Sequence, residues 1–103
     1  MNSSINSKIF DHINSSPKYF SDGGLTFLYR SCENNHLGFI LPKHLGAAHK
    51  RNKFKRRCRS LFQLINKKNS SLKLGIIIKT RTIDSSYKNI NRAFINFDNS
   101  ISQ

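Results

Sequence analysis

Residues 50–62, "KRNKFKRRCRSLF", place the tightest constraint on the fold. Seven of these thirteen residues are Lys or Arg, yet Phe54, Cys58, Leu61 and Phe62 recur at helical spacing. At about 100° per residue, Phe54, Cys58, Leu61, Phe62 and Ile65 fall within roughly one third of a helical circumference, while Arg51, Lys53, Lys55, Arg56, Arg57 and Arg59 spread over the remainder. The spacing therefore predicts a helix, running to about Ile65, whose apolar stripe docks on a core while its other faces carry cations. Arg51, Lys55 and Arg59 follow one another at intervals of four, so each adjacent pair costs roughly a few tenths of a kcal/mol. Helix stability does not select such a pattern. No Asp or Glu occurs between Glu33 and Asp84. A merely solvated helix mixes signs, so the segment reads as a phosphate-binding face.

The whole chain carries the same bias. Eighteen Lys and Arg against five Asp and Glu give a formal charge of +13 over 103 residues. That length fits one small domain spanning 1–103, with a modest core and no room for a deep substrate cavity. Such a charge favours a polyanionic partner, with nucleic acid ahead of an anionic membrane. No run approaches the roughly 18 apolar residues of a membrane span, and "MNSSINSKIF" lacks the charged start and apolar core of a signal peptide. A cytoplasmic location without membrane contact is expected. Cys32 and Cys58 can form at most one bridge; Cys58 lies on the apolar stripe as a small hydrophobe, and both are expected to be reduced.

Along the chain, Ser7 is positioned to cap a short helix with Ile9, Phe10 and Ile13 on its apolar face, closed by Pro17. The turn signal "SDGG" precedes "LTFLYRS", and "ENN" separates that run from "HLGFIL", which predicts two antiparallel strands joined by a short loop. Pro42 ends the second strand or sits at its edge. "KHLGAAHK" breaks the pattern before the basic helix, and "NKKNSS" reads as the loop after it. "LGIIIKT" is a buried strand, and Asp84 or Ser85 caps a last helix with Tyr87, Ile90, Phe94, Phe97 and Ile101 on one face. The result is an α+β domain ordered helix, strands, helix, strand, helix, with three to four strands, one covered sheet face, and flexible ends at 1–6 and 99–103.

The segment "AAHKRNKFKRRCRSLFQL" resembles the signature of the bacterial ribonuclease P protein component: a Gly-x-Ala loop, Arg-Asn-Arg, Lys-Arg, Arg, then an aromatic. Gly46, Ala48, Arg51, Asn52, Lys55, Arg56, Arg59 and Phe62 match it, and Lys53 stands where the third residue of the triplet is Arg. "LTFLYRS", "HLGFILPKH" and "LGIIIKTR" resemble the family's strands in the same order. Asn14, Pro42, His44 and Leu74 depart from its pattern. The resemblance implies a ribonuclease P protein-like fold, similar to ribosomal protein S5 domain 2.

It also implies a function: the protein subunit that binds ribonuclease P RNA and the 5′ leader of precursor tRNA, while the RNA and its Mg²⁺ carry the chemistry. No catalytic residue, protein-bound metal or cofactor, or obligate protein partner is then expected. The RNA subunit would meet Lys43, Lys50, Arg51, Asn52, Lys53, Lys55, Arg56 and Arg59, with Asn52 able instead to fix the loop-to-helix geometry through local hydrogen bonds. A cleft between the first helix, the sheet and the basic helix would hold the leader through Phe10, Phe27, Tyr29 and Arg57, stacking on bases and pairing with phosphate. The residues agree in that Asp11, Asp22, Glu33, Asp84 and Asp98 are scattered singly and the four His show no metal-ligand spacing with either Cys. A ribosomal protein or general RNA chaperone is the alternative. A basic membrane-surface or DNA-binding module would not need the flanking strands, and a protein-only nuclease lacks a catalytic constellation.

Overall fold

The computed structural model describes residues 6–68, 73–84 and 86–101. A first helix, α1 (Ser7–Ser15), is followed by strands β1 (Lys18–Asp22), β2 (Leu25–Ser31) and β3 (His36–Ile40). The basic helix α2 (Ala48–Lys68), strand β4 (Leu74–Thr80) and helix α3 (Tyr87–Ile101) complete the order. The strands form one sheet in the order β1-β2-β4-β3. β4 runs antiparallel to β2, with Leu28 opposite Ile77, and parallel to β3, with Leu37 opposite Ile76.

Alternation along the strands divides the core in two. On one face Leu25 and Phe27 of β2, Ile76 and Ile78 of β4 and Leu37 of β3 pack against Phe54, Cys58, Leu61, Phe62 and Ile65 of α2 and Ile90, Ala93, Phe94 and Phe97 of α3. Phe27 anchors that face, its ring stacked on Phe97 at 4.6 Å between centroids and edge-on to Phe94 at 5.0 Å. On the opposite face Leu28 and Ile77 receive Ile13 of α1, with Ile9, Phe10, Cys32 and Ile40 around them. The expectation of one covered face is corrected: α1 lies across part of the second.

Other expectations also shift. "LTFLYRS" and "HLGFIL" both form strands, but they are not neighbours, because β4 enters between them through the α2 crossover. β1 is an additional edge strand, five residues long with a mostly exposed pattern, paired with β2 through Gly23 and Gly24. Strand "HLGFIL" stops at Ile40, and Pro42 opens a short 3-10 turn over Lys43–Leu45. α2 continues past Ile65 to Lys68, taking in the first half of the sequence read as a loop. Asn6 rather than Ser7 caps α1, its Oδ1 accepting from the Ile9 amide at 2.9 Å. Ser86 caps α3 by accepting from the Asn89 amide at 3.2 Å, in place of Asp84; Ser85 lies outside the described residues. Of the ends expected to be flexible, 1–5 and 102–103 lie outside the described residues, while residues 99–101 belong to α3.

Cys58 is fully buried on the α2 stripe, and Cys32 sits with the α1 cluster across the sheet; both are free thiols. Burial pushes the Cys58 thiol up to about 12 from 9.0, slightly opposed by the nearby Arg59 charge. The unfolded chain therefore releases this proton first as pH rises. Cys58 should contribute full stability below about pH 9 and lose it progressively as the pH climbs toward 12. Comparing denaturant unfolding of the parent and Cys58→Ala across that range tests this, and parallel slopes would refute it.

Gly75 of β4 lies directly under α1. A Cβ there would stand 2.5 Å from Ile13 Cδ1 and 2.6 Å from Cys32 Sγ, so the helix rests on the bare backbone. Gly75→Ala should lower stability by about 1–3 kcal/mol through overpacking. An unchanged melting temperature would show that α1 is not seated so closely.

Candidate nucleic-acid interface

The basic face is built on a helix that cannot rotate. Five side chains of α2, Phe54, Cys58, Leu61, Phe62 and Ile65, are buried in the main core, so the intervening cations are directed outward by the helical period. Lys50, Lys53, Arg56 and Arg59 are exposed, and Lys55 is half-buried along its stem. Lys43 is exposed in the turn that precedes α2, so the cations extend from the 3-10 turn along the helix.

The loop into α2 is held by a hydrogen bond rather than by packing alone. Arg51 Nη1 donates to the Gly46 carbonyl at 2.9 Å. Gly46 has φ +154°, a region that favours glycine, and a Cβ on it would stand 2.8 Å from Ile83 Cδ1. The possible bracing role considered for Asn52 thus falls to Arg51, while the Asn52 side chain is exposed. Arg59 lies over the Phe39 ring at 5.6 Å and Arg57 over the Tyr87 ring at 5.9 Å, contacts that hold long cationic side chains against the protein.

The four residues expected to line one cleft are not brought together. Phe27 is fully buried between Phe94 and Phe97 and offers no ring face to a base. Tyr29 is half-buried on the same side, its ring edge-on to Phe97 at 5.1 Å. Phe10 belongs to the α1 cluster on the opposite side of the sheet. Arg57 points toward Tyr87 at the start of α3. Alternate residues of "LTFLYRS" face opposite ways, so Phe27 and Tyr29 lie on the side of the sheet that packs on α2 and α3.

The open part of the α1 side carries a different set. Tyr19, Gly24, Thr26, Leu28, Lys79, Thr80 and Arg81 line a depression of about 230 Å³. Tyr19 pairs with Leu28 across the strands and is 64% exposed. A large exposed aromatic beside Lys79 and Arg81 is the chemistry single strands use. Tyr19 went unremarked in the sequence because β1 itself did; the alternation of "KYFSD" around a Gly-Gly turn was the available signal.

Among the described residues, no three His, Cys, Asp or Glu side chains are grouped to hold a metal ion, and no helix is long and apolar enough to cross a membrane. Two acidic groups have structural partners: Asp98 accepts from Lys68 Nζ at 3.3 Å and Asp22 from Asn96 Nδ2 at 2.7 Å.

Fold and surface together define a small, strongly basic α+β domain of the RNA-binding class. Residues 5–101 match the family model described as Ribonuclease P. The chain belongs to the ribonuclease P family, and its role is that of the enzyme's protein subunit, an RNA-binding component of tRNA processing. The fold is also that of solved ribonuclease P proteins. The protein from Staphylococcus aureus superposes with TM-score 0.78 at 22% identity, covering 100% of this chain and 97% of that one. A mutant of that protein with defective mRNA degradation activity gives 0.76 at 23% identity, covering 97% and 87%. The protein from Thermotoga maritima, in complex with 1-(4-fluorophenyl)-2-thiourea, gives 0.70 at 22% identity, covering 85% and 89%. No curated protein matches the chain by sequence.

If about six cations of α2 and its loop meet phosphates, affinity for structured RNA should fall on the order of a thousandfold between 50 and 200 mM monovalent salt. Filter binding across that range checks this, and a flat response would remove the electrostatic account.

Proposed function

We propose that the exposed cations of α2 seat the protein on ribonuclease P RNA, that the sheet face beside α1 guides the 5′ leader of precursor tRNA, and that the protein supplies no catalytic side chain. The observation that carries this reading is the fixed orientation of α2, whose apolar stripe is buried and whose cations face outward with no acidic residue between Glu33 and Asp84. Mg²⁺ would serve the RNA partner; among the described residues no three His, Cys, Asp or Glu side chains group to hold a metal ion, and Asp98 and Asp22 are engaged with Lys68 and Asn96.

The leader assignment moves from Phe27 and Tyr29 to the surface around Tyr19. Single-stranded bases would stack on that ring while Lys79 and Arg81 neutralise the backbone, and Phe10, half-buried at the flank of α1, borders the same side. Stacking on an exposed aromatic is worth about 1–3 kcal/mol per base.

Reconstitution tests the reading. The purified protein, added to a bacterial ribonuclease P RNA at low Mg²⁺, should promote cleavage of 5′-labelled precursor tRNA at the mature end, with no cleavage by the protein alone. Tyr19→Ala should weaken binding of precursor tRNA and leave mature tRNA unaffected. Absence of stimulation, with equally tight binding to unrelated structured RNAs, would favour an RNA chaperone instead.

A further inference from the structure

A second pocket lies between the first turns of α2 and the segment after β4. Lys50, Lys53, Phe54, Arg57, Ile83 and Asp84 line a space of about 190 Å³. Its volume is well below the several hundred Å³ of sites that enclose a whole cofactor, and is suited to a single flat ring system. Phe54 and Ile83 are both buried and give it an apolar floor. Arg57, held over the Tyr87 ring, stands beside it, and Tyr87 is itself 44% exposed.

The position of Asp84 distinguishes this pocket from the rest of the basic surface. Three cations line the same space, yet among the described residues Asp84 makes no ion pair. Its backbone is held by the preceding threonines: the Asp84 amide donates to Thr82 Oγ1 at 3.1 Å, and Thr80 Oγ1 donates to the Thr82 carbonyl at 2.7 Å. A phosphate alone would gain from the lysines but be repelled by this carboxylate, and the apolar floor would offer it nothing. A nucleobase uses every part. Its ring covers Phe54 and Ile83, its own phosphates meet Lys50, Lys53 and Arg57, and its edge faces a carboxylate that can only accept hydrogen bonds.

A carboxylate accepting two parallel hydrogen bonds matches a base that presents two adjacent donors. Guanine does so through N1–H and the N2 amino group; adenine, cytosine and uracil do not. We infer that this pocket receives an unpaired guanine of the partner RNA, read by Asp84 and anchored by Arg57. The inference rests on the RNA-binding role of α2 and adds sequence preference to a surface otherwise limited to phosphate contacts.

The test compares the full chain with Asp84→Asn and Arg57→Gln, using a labelled oligouridine and the same strand with one central guanosine, by fluorescence anisotropy at fixed salt. The parent should bind the guanosine strand at least about fivefold more tightly, the scale of a bidentate base contact. Asp84→Asn should abolish the preference while oligouridine affinity holds or rises, because an acidic charge has gone from a basic surface. Arg57→Gln should weaken both strands. Equal binding of the two strands by the parent, or a preference that survives Asp84→Asn, would overturn the assignment. Discrimination by a protein that fails to stimulate ribonuclease P RNA would uphold the pocket and sink the holoenzyme reading, whereas binding of neither strand would sink both.

Discussion

Three consecutive isoleucines in β4, Ile76, Ile77 and Ile78, are completely buried, and because successive side chains point to opposite faces they tie the two halves of the molecule together. Ile76 and Ile78 belong to the core beneath α2 and α3, while Ile77 belongs to the cluster beneath α1. β4 also supplies the hydrogen-bonding partner of both β2 and β3. Burying three such side chains removes on the order of 5–9 kcal/mol of apolar exposure, an upper bound because the unfolded chain already shields part of it. The placement of α2 follows from this strand: its stripe docks on the face that Ile76 and Ile78 help to build, and that docking turns the cations outward.

What the sequence made legible was apolar patterning backed by burial. The stripe of α2, the isoleucines of "LGIIIKT" and the α3 face apart from the 44% exposed Tyr87 lie in or against the core; the helices were readable from their repeat and the strand from its short, β-branched apolar run. Strand partnership was not readable. "LTFLYRS" and "HLGFIL" are close in sequence, and only a long-range contact reveals that β4 separates them. β1 was missed because a short, solvated edge strand buries too little to leave a pattern.

The candidate site divides along the same line. Cations on α2 could be assigned outward directly from the helical wheel. The aromatic surface could not, because it depends on which of two alternating sets in β2 faces α1, and a one-residue difference in register exchanges an open face for the core. Arg51 shows a subtler limit. Its charge was evident, but its hydrogen bond to the Gly46 carbonyl depends on the fold of a loop that no local rule specifies.

The crossover from β3 through α2 to β4 couples the charge of the helix to assembly of the sheet. Two parallel neighbours of the sheet are joined by the segment in which like charges are most crowded, so repulsion within α2 acts directly on the connection that the sheet requires. A polyanion that neutralises the helix relieves this and stabilises the folded state by mass action.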